Sequence, residues 1–557
     1  MRKVAMNRFF NYFMPISVSL VCIFISPWNS VDPVNLPKLF LLIIVGFIAG
    51  GYAVSRLDLL KTIRYRFIVT IAMVFFIQLI VVFVTDNRDS YLKLYGTNGR
   101  NTGILAYISL TFILVATALI ASNFALRNYL IAFLICGSIA GIYGIFQSIG
   151  MDVYEYNNTY ASNVFGPFGN ANFQSAFMGM VAAISLTTTV FSRSKIQVRA
   201  ISFLIAVVAI YNITKSSDQG FLILLVGFGT VIVLYFYHQR KILWSIILTF
   251  LMFLTGILVS LGIYNRGPLS TLIFDTSLQA RTYYWQVARQ AIASNPLSGI
   301  GLDAYSDYYR RYRTPEMAEF YKGVVSDSAH SIPLDIGAGG GLPLLLAYLG
   351  IVLLAMVSIY RVSKRMVAFN VTYASLVAAW VSYQIQSLIS INQLGLGVWG
   401  WSLTGLLIGY ELHTREPKSR ETSIKGSKVA SNQESKSNQN FSPILILGII
   451  GIVVAIPPYS TAGKFYKALQ TQNAVEIQKA AYIQPYDRGK FRIAAGIMNQ
   501  NKLDSYTLSL LKDATRLFPD TLDFWELWIS IPTATEEDVA IAKAEMKRLD
   551  PFNPELK

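Results

Sequence analysis

Charged residues are scarce in this sequence. Asp, Glu, Lys and Arg make up 14% of its 557 residues, whereas hydrophobic residues make up 54%. A soluble globular protein carries roughly 25% charged residues. The mean hydropathy of +0.46 agrees with this difference. The composition therefore excludes an ordinary soluble domain and predicts an integral membrane protein that crosses the bilayer many times.

Motifs of nucleotide and metal chemistry are also missing. The sequence has no GxxxxGK[ST] phosphate loop, no HExxH zinc motif, no CxxC pair and no GxSxG nucleophile turn. Its two cysteines, Cys22 and Cys136, lie inside apolar segments and form neither a metal-binding spacing nor a disulfide framework. ATP-driven transport and zinc-dependent hydrolysis are therefore disfavoured, and no cofactor is expected.

Long apolar runs are abundant, and a run of about 20 residues predicts a membrane helix. The basic and then apolar N-terminus lacks a small-residue cleavage site, so we predict a first span there rather than a removed signal peptide. Acidic residues occur only at the borders of these runs, at Asp335 and Glu411, which disfavours a cation-coupled transporter without excluding it. The predicted spans, about 13 in number, are 9–26, 36–54, 66–84, 103–121, 128–148, 172–191, 197–213, 219–237, 242–264, 334–360, 370–388, 395–411 and 441–457.

The net charge of +16 is explained by topology, because cytoplasmic loops of membrane proteins collect Lys and Arg. All the basic clusters fall on one side if the N-terminus is cytoplasmic. The other side then carries the longer loops 85–102, 149–171 and 265–333. No nucleic-acid-binding motif occurs, so no nucleic acid partner is expected. The basic clusters lie within 2–8, 56–66, 127, 193–199, 240–241, 361–365 and 413–428.

The C-terminal part differs in character from the rest. Segment 414–440 is rich in Ser, Lys, Asn and Gln and predicts a flexible cytoplasmic linker. The last span, 441–457, then delivers residues 458–557 to the outside. These residues show apolar positions at helical spacing, which is typical of a tetratricopeptide-like array of helix pairs. Such arrays are binding scaffolds, so we expect an envelope protein partner there and no chemistry.

One of only three histidines lies in "SDSAHSIPLDIGAGGG", at the outer border of a predicted span. Pro333 favours the first turn of a helix, and Asp327 or Ser328 is predicted to cap it. His330 then lies at a helix N-terminus, where the dipole disfavours the charged imidazolium. A neutral imidazole is what a general base requires. A capping or interfacial histidine without chemistry is the alternative.

Glycines follow this histidine at four of the five positions 337–341. With Pro343, they predict a break or kink in the helix and allow close backbone approach.

Arginines accumulate in the longest outer loop. The segment "TSLQARTYYWQVARQAIASNPLSGIG" predicts a helix that presents Arg281, Trp285 and Arg289 on one face, and "YRRYR" adds Arg310 and Arg311. Guanidinium forks match phosphate oxygens two at a time, so these residues are candidates for a diphosphate site. An amphipathic helix lying on anionic headgroups is the alternative.

Two shorter outer segments carry residues suited to sugar binding. "GTNGRNTG" contributes Arg100, and "GPFGNANF" contributes Asn170 and Asn172 among aromatic residues. Asn side chains hydrogen-bond to sugar hydroxyls, and aromatic rings stack on sugar faces. The same residues also suit ordinary turns and the aromatic belt of a membrane protein.

Three of these segments resemble the O-antigen ligase and polymerase superfamily of bacterial envelope glycan assembly. They are "GPFGNANF", "RTYYWQVA" with "NPLSGIGLDAY", and "AHSIPLDIGAGGGLPLLLAYLG". The resemblance extends over essentially the whole chain. It implies an all-α polytopic membrane protein with a GT-C-like bundle as its core, residues 1–413. It also implies a large extracytoplasmic loop and an external helical-repeat tail.

The resemblance further implies an activity. Such proteins transfer a glycan from an undecaprenyl-diphosphate carrier to an acceptor hydroxyl at the outer face of the bacterial cytoplasmic membrane, without metal or nucleotide. The acceptor is a glycan, lipid or protein. His330 matches the essential histidine, proposed as the base, and Arg281 matches the arginine that engages the diphosphate. The glycine run is expected to leave room for the head of the carrier.

The sequence departs from the ligase pattern in "TKSSDQGFLIL". Gln219 stands where an arginine is expected, and Lys215 is expected to supply that charge from one helical turn away. The sugar, the acceptor and the choice between ligation and polymerisation stay open. A transporter or flippase of a lipid-linked sugar is the alternative function.

Overall fold

The computed structural model describes residues 2–27, 31–152, 164–274, 276–320, 325–415 and 441–553. Every regular element in this part of the chain is helical, so the all-α prediction is confirmed. A short 3₁₀ turn covers Gly166–Phe168. The α-helices, α1 to α24 in chain order, are Arg2–Ile23, Asn35–Ser55, Leu57–Leu60, Arg66–Thr85, Ser90–Tyr95, Ile104–Ile120, Asn123–Ser148, Ala171–Phe191, Ile196–Ser216, Gln219–His238, Ile242–Ile263, Ser270–Ile273, Thr276–Ser294, Tyr305–Tyr312, Pro315–Phe320, Ile332–Arg365, Val371–Ile389, Leu394–Thr414, Ser442–Gln470, Ala474–Ala481, Arg488–Gln500, Asp504–Leu517, Leu522–Ile529 and Glu536–Leu549.

Each predicted span corresponds to one long helix. Among the described helices, 9 are long and apolar enough to cross a membrane by length and composition. The other predicted spans lie in α1, α6, α17 and α18. Helices inside a bundle face protein rather than lipid and need not be strongly apolar, which fits the near-complete burial of α18. The number of spans, about 13, stays a prediction.

Small residues bring the central helices close together. A Cβ atom on Gly405 of α18 would lie 2.1 Å from the Leu114 carbonyl oxygen of α6. One turn later, a Cβ on Gly409 would lie 2.1 Å from the Ala118 carbonyl oxygen. Because the spacing leaves no room for any side chain at these positions, the glycines set the packing distance between α6 and α18.

Helix α16 bends at its glycine run, as predicted. Gly341 takes φ 73°, a left-handed conformation that glycine adopts without steric cost. The backbone that approaches the run belongs to the outer loop of the chain itself. Ile300 N donates to Ala338 O at 2.8 Å, and Gly301 N donates to Gly339 O at 3.0 Å. The expectation that the glycines leave room for a carrier head is therefore wrong, because the outer loop occupies that space.

The C-terminal part begins as a membrane helix and ends as a helical domain. Helix α19 continues past the predicted end of the last span, through Pro457 and Pro458, to Gln470. Helices α20 to α24 follow, and each packs against the next in the chain. This order fits an array of helix pairs, while the tetratricopeptide type stays a prediction. Most of the predicted linker, 416–440, lies outside the described residues.

Charged contacts join this C-terminal domain to the outer loop. Four ion pairs link residues 307–313, in and directly after α14, to side chains between residues 488 and 550. The innermost pair, Arg313 with Asp550, is almost fully buried at 2.6 Å. Because the two segments touch, they lie on the same side of the membrane. The other three pairs are Arg310 with Glu526, Arg311 with Asp520 and Arg488 with Asp307.

Candidate active site

His330 lies in the short loop that precedes α16. Pro333 falls in the first turn of that helix, as predicted. The predicted caps are wrong: Ser331 occupies the cap position, and no side chain caps the helix. Asp327 forms an ion pair with Arg100 instead. His330 itself takes φ 51°, a left-handed conformation that is uncommon for a residue with a side chain.

Asp335 holds this loop from inside the helix. Its Oδ1 accepts a hydrogen bond from Ala329 N at 2.7 Å, and its Oδ2 accepts one from Ser328 Oγ at 2.8 Å. Ser328 Oγ in turn accepts from His330 N at 2.9 Å. A left-handed residue costs about 1–3 kcal/mol, and these bonds offset that cost. In the sequence, Asp335 is only a border residue of a predicted span, and its one signal is a carboxylate in the first turn of that span.

The His330 imidazole stacks on the ring of Tyr284, with centroids 5.3 Å apart and planes 29° apart. Burial, then the positive charges of Arg281 and Arg100, lowers the pKa of His330 to about 4, with Asp327 opposing the shift. The imidazole is therefore neutral at neutral pH. The neutral state was predicted from the helix dipole, whereas desolvation and the charges of two arginines produce it.

Arg281 projects from α13 towards the end of α17. Its Nη1 donates to the Ile389 carbonyl oxygen at 3.2 Å, at the last residue of that helix. Cations are favourable at a helix C-terminus, so this contact orients the guanidinium. Arg289 lies two turns further along α13 and is exposed.

Arg100 connects a second outer loop to the histidine loop. Its Nε donates to Asp327 Oδ2 at 2.7 Å and its Nη2 to Asp327 Oδ1 at 2.6 Å, a two-point contact. Burial alone raises the pKa of Asp327, but the charge and hydrogen bonds of Arg100 outweigh it and lower the pKa below its usual value. The pair fixes Arg100 within electrostatic reach of His330.

A third carboxylate lies behind this pair. Asp303 Oδ2 accepts hydrogen bonds from Thr97 N at 2.7 Å and Thr102 N at 3.2 Å, so it ties the Arg100 loop to the outer loop. Burial raises its pKa to about 6. Asp303 is not among the predicted site residues, because "GIGLDAY" offers no signal beyond an acid after a glycine turn.

The predicted sugar-binding asparagines form the start of α8. Asn170 Oδ1 accepts from Asn172 N at 2.8 Å and caps the helix. Gln219 begins α10, and its Nε2 is buried without a hydrogen-bond partner in the described part of the chain. Lys215 is exposed near the end of the preceding helix, beside the Tyr211 ring. The expected spacing of one helical turn between Lys215 and Gln219 is wrong, because the chain changes helix between them.

Arg310 and Arg311 both pair with carboxylates of the C-terminal domain, Glu526 and Asp520. Their guanidinium charge is thus compensated within the protein. A diphosphate role for them stays a prediction. Their ion pairs join the outer loop to the C-terminal domain, which is a structural role.

An apolar groove runs along the membrane side of the site. We call it the lateral groove; it has a volume of about 560 Å³ and is lined by α10, α11, α16 and α17. Pro333 and Leu388 line its outer end, and Tyr237 and Ser363 line the opposite end. Pro333 is three residues from His330, and Leu388 adjoins the residue that Arg281 contacts. None of the lining residues is charged.

A polar cavity lies on the other side of the histidine loop. We call it the outer cavity; its volume is about 1040 Å³. Arg100, Asn170, Arg310 and Asp327 line it from the membrane core, and residues between 488 and 549 line it from the C-terminal domain. Three of the predicted site residues, Arg100, Asn170 and Arg310, thus share one cavity.

Comparison with known proteins yields one family match. A search of curated proteins found no match. Residues 203–349 match the family model Wzy_C, described as O-antigen ligase. The matched range contains α13, the outer loop and the first half of α16. This match confirms the resemblance to the O-antigen ligase and polymerase superfamily, over the segment that holds Arg281 and His330.

Proposed function

We propose that this protein transfers a glycan from a polyprenyl-diphosphate carrier to an acceptor hydroxyl at the outer membrane face. The observation that carries the proposal is the position of His330. The loop that carries His330, a neutral imidazole near two arginines, borders an apolar groove through Pro333 and a polar cavity through Asp327. The O-antigen ligase match over the same residues supports glycan transfer.

In the proposed reaction the acceptor oxygen attacks the anomeric carbon of the donor sugar. The bond between that carbon and the phosphate oxygen breaks, and polyprenyl diphosphate leaves. His330 takes the proton of the acceptor hydroxyl. The donor is already activated by its diphosphate, so the protein needs to supply only position, a base and stabilisation of the leaving group.

Arg281, whose charge acts on His330, is suited both to binding the donor and to activating the base. A guanidinium fork binds a diphosphate oxygen pair and stabilises the charge that grows on departure. The same charge lowers the pKa of His330 in the free protein. An anionic diphosphate beside Arg281 opposes that effect, so donor binding raises the proton affinity of the imidazole. The base would become stronger only when a donor is present.

The lateral groove suits the lipid part of such a donor. It is apolar, carries no charge on its lining, and runs along spans from the outer end near His330 towards the opposite end. A polyprenyl chain lying there would bring its diphosphate to the end of the groove, where Arg281 and His330 lie. The carrier would thus enter from the membrane without crossing the polar cavity.

Transport of a lipid-linked sugar is the rival function. A transporter usually has charged or polar groups along a path through the membrane. In the described part of the chain, the only carboxylates in long apolar helices are Asp335, in a first turn, and Glu411, paired with Arg365 and Arg415 near the opposite helix end. This distribution favours one-sided chemistry at the outer face.

Glycan profiling of a deletion strain tests the proposal. Single repeat units with loss of long chains would indicate a polymerase, and accumulation of long carrier-linked chains would indicate a ligase. An unchanged glycan profile would contradict the proposed function. Inverted vesicles from the deletion strain test the transport alternative. Normal outward movement of carrier-linked sugar in these vesicles would argue against it.

A further inference from the structure

The outer cavity has walls from two parts of the chain that are far apart in the sequence. The membrane core supplies Asn98 and Asn170, and the C-terminal domain supplies Ile493 and Thr521. Its volume of about 1040 Å³ is just above the ~300–1,000 Å³ typical of small-ligand sites. The C-terminal helices therefore enclose a space of ligand size rather than only a domain contact.

The positive and negative charges that line this cavity are nearly equal in number. It carries four arginines and five aspartates. Each of the arginines already pairs with a carboxylate: Arg100 with Asp327, Arg310 with Glu526, Arg488 with Asp307, and Arg492 with Asp523. A second phosphate site would require uncompensated arginine charge, and these pairs compensate the charge of all four arginines. The lining thus favours a ligand without strong net charge.

Neutral polar groups complete the lining. Asn98 lines the cavity from the membrane core, and Thr521 lines it from the C-terminal domain. Amide and hydroxyl groups donate to and accept from ligand hydroxyls, and paired carboxylates retain acceptor sites. Phe168 and Phe173 add apolar surface. This mixture of neutral donors, acceptors and aromatic edges is suited to a polyhydroxylated, uncharged ligand.

The cavity also borders the loop that carries His330. Asp327 lines it and is three residues from His330, and Arg100, which lines it as well, acts on the charge of that histidine. A ligand in the cavity would therefore present its end to the imidazole from the side opposite the lateral groove.

We infer that the outer cavity is a saccharide site, with the C-terminal helical domain as one of its walls, and that it holds the acceptor sugar chain during transfer. The inference rests on the proposed function. It narrows the acceptor class from glycan, lipid or protein to a glycan. It also gives the C-terminal domain a part in substrate binding, in place of the expected partner scaffold.

Direct binding to the full chain in lipid nanodiscs tests this. The probe is the lipid-free oligosaccharide released by mild acid from the carrier lipid of the producing cell, followed by saturation-transfer NMR. Ile493→Trp and Thr521→Trp fill the cavity from the C-terminal side, and each is expected to weaken binding at least about tenfold. Gln500→Trp, at an exposed position of the same helix as Ile493 and outside the lining, is the matched control and should bind as the unmodified protein does.

Asn98→Trp fills the cavity from the core side and protects the test against misfolding of the C-terminal variants. No oligosaccharide binding by the unmodified protein would overturn the inference, as would unchanged binding by all three cavity variants. The His330→Ala variant should bind the oligosaccharide normally. Saccharide binding at the cavity without any glycan transfer would contradict the proposed function alone. Transfer with an acceptor KM unaffected by the cavity variants would contradict this inference alone.

Discussion

The lateral groove and the outer cavity are built from different parts of the protein and offer different environments. The groove is lined by α10, α11, α16 and α17, and none of its described lining residues is charged. The cavity is lined by loops and the C-terminal domain and carries nine charged ones. Among the described residues, only the segment around His330 borders both, with Pro333 on the groove and Asp327 on the cavity. A lipid chain and a sugar chain, which prefer opposite environments, can therefore meet at one imidazole.

The largest expected effect comes from removing that imidazole. His330→Ala should lower kcat for glycan transfer by about 10²–10⁴-fold, the usual contribution of a positioned base. His330→Gln keeps a hydrogen-bonding group but accepts no proton, so it should be nearly as slow. Transfer is measured on purified protein with a carrier-linked donor.

His413→Ala is the matched control, because His413 is exposed in the last turn of α18. Near-normal transfer by His330→Gln would replace the base role with a positioning role. Loss of donor binding in His330→Ala would instead make His330 part of the diphosphate site.

Arg281 should give the next largest effect. Arg281→Ala is expected to lower transfer by about 10²–10³-fold, as for loss of one donor to a developing charge. Arg281→Lys should recover only part of this, because an ammonium cannot make the two-point contact. Arg266→Lys, at an exposed position earlier in the same outer loop, serves as the control and should have no effect. Full activity of Arg281→Lys would rule out the fork geometry.

Asp335 should have a smaller effect that is confined to kcat. Asp335→Asn weakens the bonds that hold Ala329 and Ser328, and the loss of about 1–2 kcal/mol corresponds to roughly a tenfold slower reaction. The donor KM should stay the same, because Asp335 acts on the His330 loop and not on the carrier. An equal rise in donor KM, or loss of folded protein, would assign Asp335 a general structural role instead.

The charge state of His330 provides the finest test of its surroundings. Neutral imidazole reacts with diethylpyrocarbonate, so the pH midpoint of modification reports the pKa. In a chain with His238→Gln and His413→Gln, modification should stay constant as the pH falls to 5 and should be lost near pH 4. Arg281→Gln removes a repelling charge, so it should move the midpoint to higher pH. A midpoint near the ordinary value of 6.5 would contradict the buried, arginine-flanked site.

Sequence patterns predicted the helices and the central residues better than the contacts between them. Apolar runs predicted the positions of the long helices, because a segment that crosses lipid must satisfy its backbone hydrogen bonds internally. The rarity of histidine and the Pro333 turn singled out His330. The Asp335 contacts, the Arg100–Asp327 pair and the docking of the C-terminal domain join residues distant in the chain, and local periodicity does not encode such pairings. The glycine run signalled a close backbone approach but not which backbone would approach.

The central claim is that donor and acceptor reach His330 from opposite sides, and two-substrate kinetics tests it most directly. Val352→Trp fills the lateral groove, with the neighbouring lipid-exposed Leu353→Trp as its control. Ile493→Trp fills the outer cavity. The account predicts that Val352→Trp raises the KM for carrier-linked donor about tenfold and leaves the acceptor KM unchanged, while Ile493→Trp does the reverse. If either variant raised both KM values equally, or exchanged the two effects, the assignment of groove and cavity to separate substrates would be contradicted.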